Sequence, residues 1–196
     1  VVSSKMLSTL IMTLRGTPYY YNGDEIGMTN GDFKKKEDFN DVAALNEFKY
    51  VEQNGGDLQK FLEYTIDNNR DNGRTPMQWD DTKNAGFSTG NPWLKVTSNY
   101  QSINVSAEEK NNNSCLNYFK KLTTLRNNNK DIWVYGTYTI LDKDNPDVFT
   151  YTRESNGKKM LVLLNFSKET KNANLQLKNK IQKAILCNYE TISKDN

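Results

Sequence analysis

Histidine is absent from this chain of 196 residues. That gap removes His-ligated zinc, a Ser-His-Asp triad, a Cys-His dyad and any histidine general base. Cysteine is nearly as scarce: Cys115 and Cys187 stand far apart, which is neither a disulfide framework nor a CxxC metal pair, so both read as buried free thiols. An excess of charge of one sign is missing too. Lys+Arg number 26 against Asp+Glu 24, a net charge of +2, and no stretch sets Lys and Arg on one face with interleaved aromatics, which leaves no footprint for nucleic acid. The longest apolar run, near Leu7 to Leu14, is broken by Ser and Thr and is too short to span roughly 30 Å of hydrocarbon, so no membrane partner is expected. No initiator Met and no charged-then-apolar leader is visible, and Val1 reads as a cut end. The last stretch, Glu190 to Asn196, is polar and reads as a truncated sheet or a frayed terminus.

What is present argues for a packed core. Hydrophobic residues make up 36% and mean hydropathy is −0.83, yet three Trp, eleven Tyr and eight Phe supply large apolar bodies that disordered chains lack. Met6, Leu7, Leu10, Ile11 and Leu14 recur at spacings of three and four, which predicts an opening helix over Ser3 to Leu14 closed by Arg15-Gly16. Thr17 to Tyr21 follows as a short strand ended by Asn22-Gly23. Helix, loop and buried strand are α/β grammar, and Asp24-Glu25 lies where parallel sheets and barrels place their binding loops. Asp38 to Val51 and a second stretch capped by Asp57 and running to about Ile66 predict a helical hairpin broken at Asn54-Gly55-Gly56. Residues 67 to 112 keep no sustained period but carry Trp79, Phe87, Trp93 and Tyr100, the mark of an ordered, functional loop. Asn113 to Asn129 returns to helix.

From there the pattern is β-type: Trp133 to Tyr135, Tyr138 to Leu141, Val148 to Arg153, Met160 to Phe166, Ala173 to Leu177 and Ile181 to Tyr189, with turns at Asp144 to Asp147 and Ser155 to Gly157. The fold class expected is α/β followed by all-β, divided as residues 1–129 and an antiparallel, sandwich-like domain over residues 130–196. The densest polar constellation is Arg70-Asp-Asn-Gly-Arg-Thr-Pro-Met-Gln-Trp-Asp80. Forked guanidinium and amide donors pair with hydroxyls and carboxylates while an indole face packs on the C–H face of a sugar. The same residues equally describe a salt-bridged loop pinned to its own surface.

Gly16-Thr-Pro-Tyr-Tyr-Tyr-Asn-Gly-Asp-Glu-Ile-Gly-Met-Thr-Asn30, then the Arg70 to Asp80 motif, Asn84-Ala-Gly-Phe87 and Asn91-Pro-Trp93, resemble in order and separation the α-glucosidase and oligo-1,6-glucosidase group of glycoside hydrolase family 13. The likeness continues through Tyr118 to Arg126 and Met160 to Phe166. It implies the end of a (β/α)8 barrel plus a C-terminal antiparallel β domain, from an enzyme that cleaves α-glucosidic bonds of short oligosaccharides with retention through an Asp nucleophile and a Glu acid/base. It also implies that these carboxylates lie upstream of Val1, that Tyr19 to Tyr21 is the eighth barrel strand, and that no cofactor or metal is needed. By the same resemblance Arg70 and Arg74 are substrate-side residues. Arg70 would bind the non-reducing glucose and pair with an upstream aspartate, and Arg74 would tie the long loop to the barrel in preference to touching the sugar. Asp24 and Glu25 would support the site from behind it. Ala43 stands where many relatives have a glutamate, which puts the usual α-1,6 preference in question. The expected partner is an α-glucosidic oligosaccharide, with self-association of the chain through its unpaired strand as a further outcome. The competing readings are a carbohydrate-binding or structural accessory module, and a trehalose-6-phosphate hydrolase or sucrose isomerase.

Overall fold

A computed structural model describes residues 1–177 and 180–189. In chain order the regular elements are α1 (Val2–Thr13), α2 (Val42–Gln53), α3 (Leu58–Asn68), α4 (Val105–Lys110), α5 (Cys115–Asn128), α6 (Lys130–Trp133), β1 (Thr137–Leu141), β2 (Val148–Ser155) and β3 (Lys158–Asn165), with one-turn 3-10 segments in the loops. The chain divides into two compact units, residues 1–19 with 117–196, and residues 20–116.

In the first unit the three strands form one antiparallel sheet in the order β1-β2-β3. The β2–β3 register, Val148 opposite Asn165 through Ser155 opposite Lys158, is set by a two-residue Asn-Gly turn. Asn156 and Gly157 both have positive φ, 50° and 73°, the geometry whose twist matches that of the flanking strands. Ile132, Trp133, Tyr151, Val162 and Leu164 make the core, and Met6, Leu10 and Leu14, on the stripe that predicted α1, pack against it. The Tyr151 hydroxyl lies 2.6 Å from Thr13 Oγ1, which itself donates to the Thr9 carbonyl.

Two arginines are buried here with no carboxylate partner among the described residues. Arg153 donates to the carbonyls of Thr13 and Gly136, and Arg126 to those of Met12 and Gly16. Carbonyls left open at and just beyond the C-terminus of α1 thus take the place of a counter-ion, where the helix dipole favours positive charge. The cost shows in both side chains: burial pulls each guanidinium below its ordinary range.

The second unit holds the hairpin of α2 and α3. Asp41 caps α2 by accepting from the Ala43 N–H, and Asp57 caps α3 by accepting from the Lys60 N–H, as Ser, Thr, Asp or Asn at this position does for orphan N–H groups. Phe33, Phe39, Phe48 and Leu94 form the core beneath them, with Phe48 edge-on to Phe61 at 4.7 Å between centroids. A smaller cluster joins Ile26, Met77 and Leu116.

Several expectations need correction. Thr17 to Tyr21 belongs to no ladder among the described residues; a strand exists only through its partner, and Tyr19 and Tyr21 are exposed. Trp133 lies in α6 rather than in a strand, because Trp133 N–H reaches the Asn129 carbonyl and the turn places Ile132 and Trp133 together in the core. Ala173 to Leu177 and Ile181 to Tyr189 form no strands; side chains such as Leu177 and Ile185 are exposed and give a ladder no apolar face to cover. The short helix α4 falls in a stretch read as aperiodic. Cys115 is buried and Cys187 only half-buried, and neither is in a disulfide. The reading of Glu190 to Asn196 lies outside the described residues.

Candidate functional site

The loop from Asn69 to Asp80 is organised by one buried carboxylate that composition did not single out. Asp71 is fully buried, and its Oδ2 accepts from the backbone N–H groups of Asn40 and Asp41 at 2.7 and 2.8 Å. Its own N–H donates to Asn69 Oδ1, which starts the 3-10 turn Arg70–Arg74. Asn72 closes the other side, donating to the Ile66 carbonyl and accepting from Gly31 N–H. Gly73 leaves room for the Tyr21 ring, since a Cβ there would come within 3.2 Å of it.

This frame presents Arg70. Its Nε donates to Asp41 Oδ2 at 2.8 Å and its Nη2 to Asp41 Oδ1 at 2.6 Å, a side-on fork. Asp41 is only 5% exposed at its side chain and Arg70 is 62% exposed. The carboxylate is therefore set in the protein while the far edge of the guanidinium faces water. The Arg70 guanidinium holds the Asp41 carboxyl below the usual range, against a burial that raises it, and Asp41 in turn raises the guanidinium. Within this chain the cap of α2 gives Arg70 its carboxylate partner. Arg74 approaches Asp71 Oδ1 at 3.6 Å, an ion pair without a hydrogen bond; that oxygen is buried and accepts no hydrogen bond among the described residues.

Asp24 and Glu25 serve their own turn. Asp24 Oδ2 accepts from Tyr21 N–H at 3.2 Å and Glu25 Oε2 from Gly23 N–H at 2.9 Å. Both carboxylates thus shape the segment that follows Tyr21.

Beyond Arg74 the chain is pinned by side chains. Gln78 is fully buried and donates to Asn99 Oδ1 and to the Ile103 carbonyl. Asn84, Ala85 and Gly86 are consecutive left-handed residues, with φ of 56°, 57° and 64°. Such a conformation costs roughly 1–2 kcal/mol per residue with a Cβ. It is held by Trp79 and Asp80 N–H groups donating to the Ala85 carbonyl and by Asn84 Nδ2 donating to the carbonyls of Ser88 and Gly90. A side chain at Gly86 would meet the Asp80 carboxylate at 2.6 Å. The result is a rigid loop that leaves Trp79, Phe87 and Trp93 exposed. Among the described residues no group of three or more His, Cys, Asp or Glu is placed to hold a metal.

Comparison with known proteins places these loops in a family. Residues 1–136 match the family described as Alpha amylase, catalytic domain, and residues 138–191 match Maltogenic Amylase, C-terminal domain. The chain is similar to an oligo-1,6-glucosidase of Parageobacillus thermoglucosidasius, 47% identical over 171 residues, which is 87% of this chain and 30% of that protein. It is similar to a trehalose-6-phosphate hydrolase of Bacillus subtilis (strain 168), 42% identical over 85% of this chain and 29% of the relative. Among solved structures, the trehalulose synthase MutB from Pseudomonas mesoacidophila MX-45 superimposes with a TM-score of 0.82 at 41% identity, covering 86% of this chain and 30% of that one. The chain spans about 30% of the length of the curated relatives it matches.

Proposed function

The chain belongs to the α-amylase family, glycoside hydrolase family 13, and from that premise we propose that it is the substrate-side, C-terminal part of a retaining α-glucosidase acting on short oligosaccharides. The observation that carries this reading is the Arg70–Asp41 fork. A charged side chain locked on one edge by a buried carboxylate, with its other N–H groups turned to water, is prepared to donate to sugar hydroxyls without first losing its own freedom. In this reading Arg70 contacts the sugar, Arg74 braces the loop through Asp71, and Asp24 and Glu25 hold the turn after Tyr21. In this reading residues 1–129 are the barrel portion and residues 130–196 the C-terminal β domain. Retaining hydrolysis needs two carboxyl groups about 5–5.5 Å apart across the scissile bond, and in this reading the part of the relatives that precedes the matched region supplies them.

A chimaera tests it. When the part of the Parageobacillus relative that precedes the matched region is joined to this chain, p-nitrophenyl α-glucoside is hydrolysed, while the rigorously purified 196-residue chain gives no more than the buffer blank. Turnover by the chain alone would overturn the assignment of the carboxylates. A folded chimaera that binds maltose or isomaltose saturably but never cleaves it would favour the accessory module.

A further inference from the structure

We propose that the cavity walled by the loops around Asn40 and Trp93 is a second carbohydrate subsite, selective for neutral glucosyl units, apart from the guanidinium of Arg70. The cavity is open to solvent, has a volume of about 560 Å³ and is lined by, among others, Glu37, Asn40, Asn84, Asn91, Trp93 and Lys95. That volume lies inside the roughly 300–1,000 Å³ typical of small-molecule sites.

Its polar groups are fixed before any ligand arrives. Asn40 Nδ2 donates to the Trp93 carbonyl at 2.8 Å, and Asn84 Nδ2 donates to the carbonyls of Ser88 and Gly90. Asn84 thereby spends both amide N–H groups on the backbone and Asn40 one of its two, and each keeps Oδ1 as an open acceptor, in an orientation set by these hydrogen bonds. The backbone N–H of Asn40 is itself held by Asp71, so one end of the cavity is tied to the most buried carboxylate of the unit. Trp93 is 58% exposed although its backbone is held by Asn40, which leaves the indole face to a pyranose C–H face. The side chains of Glu37 and Asn91 have no hydrogen-bond partner among the described residues, and each can take a hydroxyl.

Charge selects among sugars. Lys95 is committed to Asp38, whose carboxylate also accepts from the N–H groups of Lys34 and Lys35. Burial pushes that carboxyl up, but Lys95 and the two N–H groups outweigh it and hold it below the usual range. Lys95 is thus already neutralised by Asp38, and the Glu37 carboxylate lines the same cavity, so a phosphate is repelled while a neutral polyol is not. A neutral di- or trisaccharide therefore fits, and a phosphorylated disaccharide does not.

Nuclear magnetic resonance titration of the 196-residue chain with isomaltotriose, trehalose and trehalose 6-phosphate tests this. The neutral sugars should shift the Trp93 indole resonance saturably, and Trp93→Ala should weaken binding about tenfold, the loss of one stacking platform. Arg70→Ala should leave this binding within about twofold, which separates the subsite from the role proposed for Arg70. Trehalose 6-phosphate should bind about tenfold more weakly than trehalose, and Glu37→Gln should narrow the gap. A folded chain that shows no saturable shift, a Trp93→Ala variant that binds as the parent does, or an Arg70→Ala variant as impaired as Trp93→Ala would overturn the proposal. Equal binding of the phosphorylated sugar would overturn its selectivity.

Discussion

Arg70 meets Asp41 side-on, with Nε on Oδ2 at 2.8 Å and Nη2 on Oδ1 at 2.6 Å, across 29 positions of sequence. Two parallel donors on two carboxylate oxygens fix the plane of the guanidinium, and a lysine ammonium cannot reproduce that plane. In the catalytically complete chimaera, Arg70→Lys and Arg70→Ala should both raise KM and lower kcat/KM, with Lys recovering only a small part of the loss. The melting temperature of the 196-residue chain should also fall with Arg70→Ala, because the 5% exposed Asp41 carboxylate loses its ion-pair partner even though it keeps its cap on α2. Steady-state kinetics beside a thermal melt checks both halves, and unchanged kcat/KM in a folded variant would return Arg70 to a surface role.

Asp71 should show its effect in stability. Asp71→Ala leaves the N–H groups of Asn40 and Asp41, the latter buried, without their shared acceptor, a loss of about 3 kcal/mol for two hydrogen bonds. Chemical denaturation would show this as a lower midpoint. Asp71→Asn keeps an acceptor for both N–H groups and should cost less, so the order Ala below Asn below parent identifies the acceptor role.

Alkali should unfold the first unit through Tyr151. Burial, partly offset by Thr13, pushes its hydroxyl up to about 12 from an unfolded value near 10. Because the folded value is the higher one, its contribution is fully present below pH 10 and is lost as pH rises toward 12. A shift of this size corresponds to at most about 3 kcal/mol. Tyr151→Phe should lower stability at pH 7 by about 1 kcal/mol, the net value of its hydrogen bond to Thr13, and flatten the decline between pH 10 and 12. Denaturant melts at stepped pH measure this, and an equally steep decline in the Phe variant would assign it to another group.

Amide exchange should rank the segments. Met160 to Asn165 lies in a ladder with β2, whereas Tyr19 to Tyr21 has none and its side chains at Tyr19 and Tyr21 are exposed. Exchange should therefore be faster at Tyr19 to Tyr21 in a monomeric sample. Slower exchange there than at Met160 to Asn165 would reverse the order. Protection that appears only as concentration rises would instead report self-association through this segment.

The local elements could be read from the sequence because their causes are local. The apolar spacing from Met6 to Leu14, the cap at Asp57 and the Asn156-Gly157 turn act within a few residues, and each appears where the pattern puts it. The motif from Arg70 to Asp80 was equally legible as a dense polar constellation. Which of its members would be buried was not, since Asp71 is hidden by partners about 30 positions away, at Asn40 and Asp41. Tertiary structure likewise decided that Trp133 turns into a helix beside the core. It also decided that Thr17 to Tyr21 has no ladder, because a strand depends on a neighbour that its own residues cannot specify. The burial of Arg126 and Arg153 followed the same rule. A charged side chain enters the interior only where distant backbone supplies acceptors, and here the carbonyls of Met12, Thr13, Gly16 and Gly136 do so.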